Sequence, residues 1–241
     1  LAVVLLGFSL YVGKVVWDDP AWETTQPEVT GLPRHYADDV LVSDDNPVAQ
    51  IKVSDAYDYL GGQKFTLYGT VAVDQYFYVQ RDEAGHAQSI IRLQFESVLP
   101  GVDHAYDYSD APLRTQIDGL DFFTLTEAAS TGGLLNTLFP YGKPGSDRYQ
   151  AHRFLASHGV EIPGEYAFAR LVHIPDEAAR HEMIVFFYDD MPNVGIAPEN
   201  LGPDGAGSEQ WADISHDLLA KITTAISFAP AQDRNGAVSL D

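Results

Sequence analysis

The chain has 241 residues, in which 35 Asp plus Glu outweigh 14 Lys plus Arg for a formal charge of -21. That excess repels phosphate backbones and anionic headgroups, which argues against nucleic acid as a partner. The absence of cysteine excludes disulfides, thiolate metal sites and cysteine nucleophiles, while 45% hydrophobic and 12% aromatic residues suffice for a packed domain.

Leu1 to Gly13 carries no charge, and the apolar run resumes after Lys14 with Val15, Val16 and Trp17 before Asp18 and Asp19 end it. At about 1.5 Å per residue this segment reaches roughly 25 Å, near the lower limit for a bilayer span. A cleaved signal peptide would need small residues at its cleavage site, and no such pair follows the run. Residues 1–17 are therefore expected to be an uncleaved anchor in a lipid bilayer, with Lys14 snorkelling to the headgroups and Trp17 and Trp22 at the interface. The chain opens on Leu, so residues upstream are expected. The acidic exit, with no basic residue between Lys14 and Arg34, places the remainder on the extracytoplasmic, periplasmic side of the cell membrane.

Residues 18–47 combine Pro20, Pro27, Pro33 and Pro47 with the pairs Asp38-Asp39 and Asp44-Asp45, and read as an extended stalk. Residues 48–241 then form the globular domain. Val48 to Leu60 is expected to be a short helix stopped by Gly61-Gly62. Lys64 to Val73, Gln75 to Gln80 and Ser89 to Leu99 are rich in aromatic and β-branched residues and read as strands. In the last, Ile91, Leu93 and Phe95 alternate with Arg92, Gln94 and Glu96, predicting one buried face and one wet face.

Val102 to Pro112 is a polar loop, Gly119 to Thr126 a strand, and Ser130 to Phe139 either a short helix or a loop. Ser146 to His158 has helix punctuation, with Ser146 as N-cap and Gly159 beyond the last turn. Tyr166 to Ile174 and Glu182 to Tyr188 are strands joined by Pro175 to His181, and Asn193 to Ser208 is a loop. Glu209 to Phe228 places Trp211, Ile214, Leu218, Ile222 and Ile226 at helical spacing. The pattern predicts an α+β fold: a mainly antiparallel sheet with a long C-terminal helix across it.

The chemistry is sparse. Neither glycine pair has phosphate-loop spacing and no serine sits in a nucleophile elbow. His173 and His181 flank one strand connection, with Glu177 or Glu182 near enough to complete a metal set, although the spacing matches no zinc signature. Asp103, Asp107 and Asp110 share a flexible loop with His104 and Tyr106, an oxygen-rich setting of the kind calcium takes. Among carboxylates suited to acid-base work, Glu96, Asp121, Glu127 and Asp189, Glu96 is expected to face solvent. Tyr57, Tyr59, Tyr106 and Tyr108 offer rigid amphipathic area for a partner.

These features predict a non-catalytic accessory domain, without a required cofactor, docking on a protein of a membrane complex or envelope. An anchored hydrolase or metal-dependent enzyme and a carrier of small ligands or lipids are the alternatives. A filled core with an aromatic patch favours docking, converging histidines and carboxylates the enzyme, and a cavity beneath the last helix the carrier.

Overall fold

A computed structural model describes residues 25–132, 141, 143–191 and 194–230. The predicted anchor, with Lys14, Trp17 and Trp22, lies outside the described residues. Among the described residues no helix is long and apolar enough to cross a membrane.

The fold is α+β and its sheets are antiparallel throughout. A small sheet contains β1 (His35–Ala37), β2 (Val40–Ser43), β3 (Ala49–Val53) and, from the far end of the chain, β11 (Ile226–Ala229). The large sheet has the order β4 (Asp58–Leu67), β5 (Val71–Arg81), β6 (Ala87–Val98), β10 (His181–Asp190), β9 (Glu165–His173), β8 (Leu120–Ser130), β7 (Leu113–Ile117). Among the described residues two α-helices, α1 (Asp147–Ser157) and α2 (Ser208–Ala225), accompany them.

Three hairpins are set by adjacent residues with positive φ, the geometry that matches the twist of the flanking strands. These are Asp38-Asp39 between β1 and β2, Tyr68-Gly69 between β4 and β5, and Asp118-Gly119 between β7 and β8. The first overturns the expectation of an unstructured stalk over the whole of 18–47. From Glu28 onward the segment belongs to the fold: Glu28 and Lys64 exchange backbone hydrogen bonds of 2.9 and 2.8 Å along β4, and β1 and β2 follow.

Residues 49–53 and 58–60 are strand rather than helix, with a turn between them. Ala49, Ile51 and Val53 alternate inward from β3, and β4 begins at Asp58. Gly61, at φ 116, sits beside a shift of register in mid-strand instead of ending a helix. The last helix stops at Ala225, where the alternating Ile226 and Phe228 turn the chain into β11.

One face of the large sheet packs against α2 and the small sheet. Tyr76, Leu93, Phe95, Leu171, Val185 and Phe187 meet Leu41, Ile51, Trp211, Leu218 and Ile222 in one cluster. Arg34, just before β1, ties the layers together. Its guanidinium lies 3.5 Å over the Phe95 ring, donates to both oxygens of Asp74 on β5 at 2.9 and 2.8 Å, and reaches Ser43 Oγ and the Asn46 carbonyl. Burial raises the Asp74 carboxyl from its ordinary range and Arg34 opposes that rise.

The opposite face is expected from the alternation to be wet, and it is not. Phe77, Val79, Ile90, Ile184 and Tyr188 form a second core with Ala151, Phe154 and Leu155 of α1. The run Met183 to Tyr188 carries the reason in its sequence: a strand apolar at consecutive positions is buried on both faces.

Candidate functional site: a buried acid pair on the covered face

On that second face, alternation along β6 brings Arg92, Gln94 and Glu96 inward together, and Glu182 is the register partner of Glu96 on β10. Glu96 is 8% exposed and Glu182 2%. Their side chains project from the same face at one rung of the β6–β10 ladder. A ladder of amides runs into the pair from the sheet edge. Gln63 Nε2 donates to Gln75 Oε1 at 2.8 Å, Gln75 Nε2 to Gln94 Oε1 at 2.6 Å, and Gln94 Nε2 to Glu96 Oε1 at 2.5 Å.

The lid on the pair is the loop between β6 and β7. Tyr106 donates its hydroxyl to Glu96 Oε2 at 3.0 Å, and Tyr108 donates to Glu182 Oε2 at 2.7 Å. Spacing the tyrosines two apart in an extended segment points both at the sheet. The loop is pinned at one end by Arg180, whose guanidinium donates to the carbonyls of Leu99, Val102 and His104. At the other end Arg114 donates to the carbonyls of Ser109 and Ala111. The Tyr106 amide donates to the Ala179 carbonyl at 2.8 Å.

Helix α1 closes the near side. Its N-cap Ser146 accepts from the Tyr149 amide, and Asp147 in the first turn accepts from Arg92 and Gln94 at 3.3 Å. Arg92 also lies 3.6 Å over the Phe186 ring.

Two carboxyls removed from water and placed side by side cannot both ionise cheaply. Burial is the main cause that raises both; the Asp147 charge adds to it at Glu96 and the Glu96 charge adds to it at Glu182, whose carboxyl is pushed up to about 9. At neutral pH the pair therefore holds a proton. The same burial and negative charge push the Tyr106 and Tyr108 hydroxyls upward, so these remain donors.

The expected site residues distribute differently from the sequence pattern. His173 Nδ1 is 3.0 Å from the Asp121 carbonyl, and His181 Nδ1 is 2.9 Å from Asp176 Oδ2, so each is engaged locally. Glu182 serves the acid pair rather than either histidine. Asp103, Asp107 and Asp110 lie on the exposed side of the loop, with Asp107 accepting from the Ser109 amide at 2.9 Å. Among the described residues no three His, Asp or Glu side chains converge as a metal set.

Tyr57 shares a hydrogen bond of 2.7 Å with Ser89. Tyr59 stacks on Tyr36 at 4.2 Å between centroids. Tyr106 and Tyr108 present their hydroxyls to the interior instead of to a partner.

Glu96 is the principal correction: the alternation assigns its face properly, but that face is covered. Clefts of about 500 and 380 Å³ lie elsewhere, the first along Arg81, His86, Val160 and Pro163, the second along Tyr57, Gln80, Asp189 and Lys221. The acid pair lines neither.

No family model, no curated protein and no solved structure matches the chain.

Proposed function

We propose that this chain is a non-catalytic accessory domain, held at the extracytoplasmic face of a membrane by residues 1–17 and docking on a basic surface of a membrane-complex or envelope protein. The observation that carries the reading is the tyrosine stack at the edge of the small sheet. Tyr36, 38% exposed, lies against Tyr59, and Tyr78 backs the pair from the core. The hydroxyl of Tyr36 donates to Asp39, and Asp55 adds negative charge nearby. Rigid aromatic area ringed by carboxylates suits Arg or Lys side chains of a partner, through stacking and charge together.

Two further features support docking over the alternatives. Glu96 and Glu182 are engaged by an amide and two tyrosines, Asp189 by Lys221, His173 by a backbone carbonyl and His181 by Asp176. The core beneath α2 includes Trp211, Leu218 and Ile222, each at most 3% exposed.

The test is recovery of the partner by affinity capture of the tagged full chain from mild-detergent extracts, comparing wild type with Tyr36→Ser. With the variant's fold checked by its urea midpoint, the substitution is expected to reduce partner recovery at least tenfold. Equal recovery by wild type and variant would remove the stack from the interface.

A further inference from the structure

The acid pair does more than fill the second core, and nothing in the docking reading uses it. Among the described residues its hydroxyl donors come from one loop, in a pair matched to the two carboxyls. We propose that Glu96 and Glu182 form a proton-operated latch: the proton they share holds the centre of the 102–112 loop closed through Tyr106 and Tyr108, and its loss releases that segment.

The geometry makes the coupling direct. With one proton, the pair carries a single negative charge spread over four oxygens, of which Gln94, Tyr106 and Tyr108 each supply a donor to one. Removing the last proton leaves two adjacent carboxylates on neighbouring strands with 8% and 2% exposure. Strands β6 and β10 cannot separate, because they are paired along nine residue positions from His181–Ser97 to Asp189–Ser89. The loop has no such ladder. Opening it admits water to both carboxylates, and that is the least disruptive way to relieve their repulsion.

The charged surroundings favour the same outcome. Asp147 of α1 adds repulsion from the helix side. Arg170 of β9 lies 5.3 Å from the Tyr108 ring and offsets the charge of Glu182 only weakly. Arg92, on the same face of β6, is committed to Asp147 and Phe186. From β5 the neighbours are the uncharged Val73 and Gln75, which leaves Arg170 as the cation that acts on Glu182 among the described residues.

Release would free residues 105–108, with Asp107 and the two tyrosines, between the points held by Arg180 and Arg114. The latch stands independently of whether that segment, or any other, meets a partner.

Amide hydrogen exchange on the full chain tests it, with each rate divided by the intrinsic rate of that amide and residues of β6 and β10 as internal controls. Between about pH 7 and pH 10 the Tyr106 amide is expected to lose protection on the order of tenfold relative to the controls, the factor set by passing one unit beyond the pair's titration. Glu182→Gln keeps a neutral hydrogen-bonding group beside Glu96 and is expected to hold Tyr106 protected across the whole range. Constant relative protection in the wild type, or a Glu182→Gln profile that titrates like the wild type, would overturn the latch. Should Glu182→Gln lose strand protection as well, Glu96→Gln gives the same comparison from the other side of the pair.

Discussion

Glu182 keeps its proton in the folded protein over an interval in which the unfolded chain has already lost it, from its ordinary value of 4.5 up to about 9, because burial and Glu96 oppose its ionisation. The folded state is thus the one that binds more protons there. Stability from this group is complete below the ordinary value, declines above it and is lost as pH rises through about 9. The urea midpoint is expected to fall steadily from about pH 6 to pH 9, and Glu182→Gln to flatten that slope; a midpoint that rises over the interval would contradict the shared proton.

Arg34 is the other residue on which much depends. Its replacement by Ala leaves the Asp74 carboxylate buried without its counter-ion, a change expected to cost about 3–5 kcal/mol in urea unfolding. These residues differ in legibility. Alternation in β6 assigns Glu96 to the face opposite Phe95, which is right, but only the helix and loop that cover this face decide whether it is wet, and they lie far away in sequence. Arg34 reads as an isolated basic residue in an acidic segment, with nothing local to announce Asp74.

At the scale of elements, strong local signals carried through. Ser146 caps α1 as its sequence implies, accepting from Tyr149 at 3.1 Å, and Ser146→Ala is expected to lower stability by about 1 kcal/mol. The central strands β5, β6, β9 and β10 follow their aromatic and β-branched composition. The β7–β8 hairpin had its signal in Asp118-Gly119, a dipeptide that favours two adjacent positive φ values, yet β7 itself is short and polar and escapes a composition-based reading.

Gly61-Gly62 shows the opposite failure. Glycine pairs mark turns most often, but here a Cβ on Gly62 would lie 2.7 Å from the Gln75 carbonyl oxygen and 2.8 Å from the Tyr76 ring. The close approach of two strands demands glycine. Gly62→Ala is expected to shift β4 against β5, disturb the Gln63–Gln75 contact at the head of the amide ladder, and lower the melting temperature by several degrees, roughly the effect of 1–3 kcal/mol of overpacking in a small domain. An unchanged melting temperature would mean that the strands yield freely.

Across the whole molecule, the α+β class and the antiparallel large sheet follow from the order of strand-like segments, whereas the small sheet does not. It joins residues 35–53 to residues 226–229, and a pairing across most of the chain leaves no local pattern. The result is a domain whose acidic surplus faces solvent while its paired carboxyls, amide ladder and inward tyrosines form a closed interior network.

The most direct test of the docking proposal is the size of the species carrying the full chain after mild-detergent extraction of its native cells, measured by native electrophoresis with mass-spectrometric identification. Docking predicts a stable assembly with a second protein in fixed stoichiometry. Recovery of the chain alone, as a monomer, would contradict it.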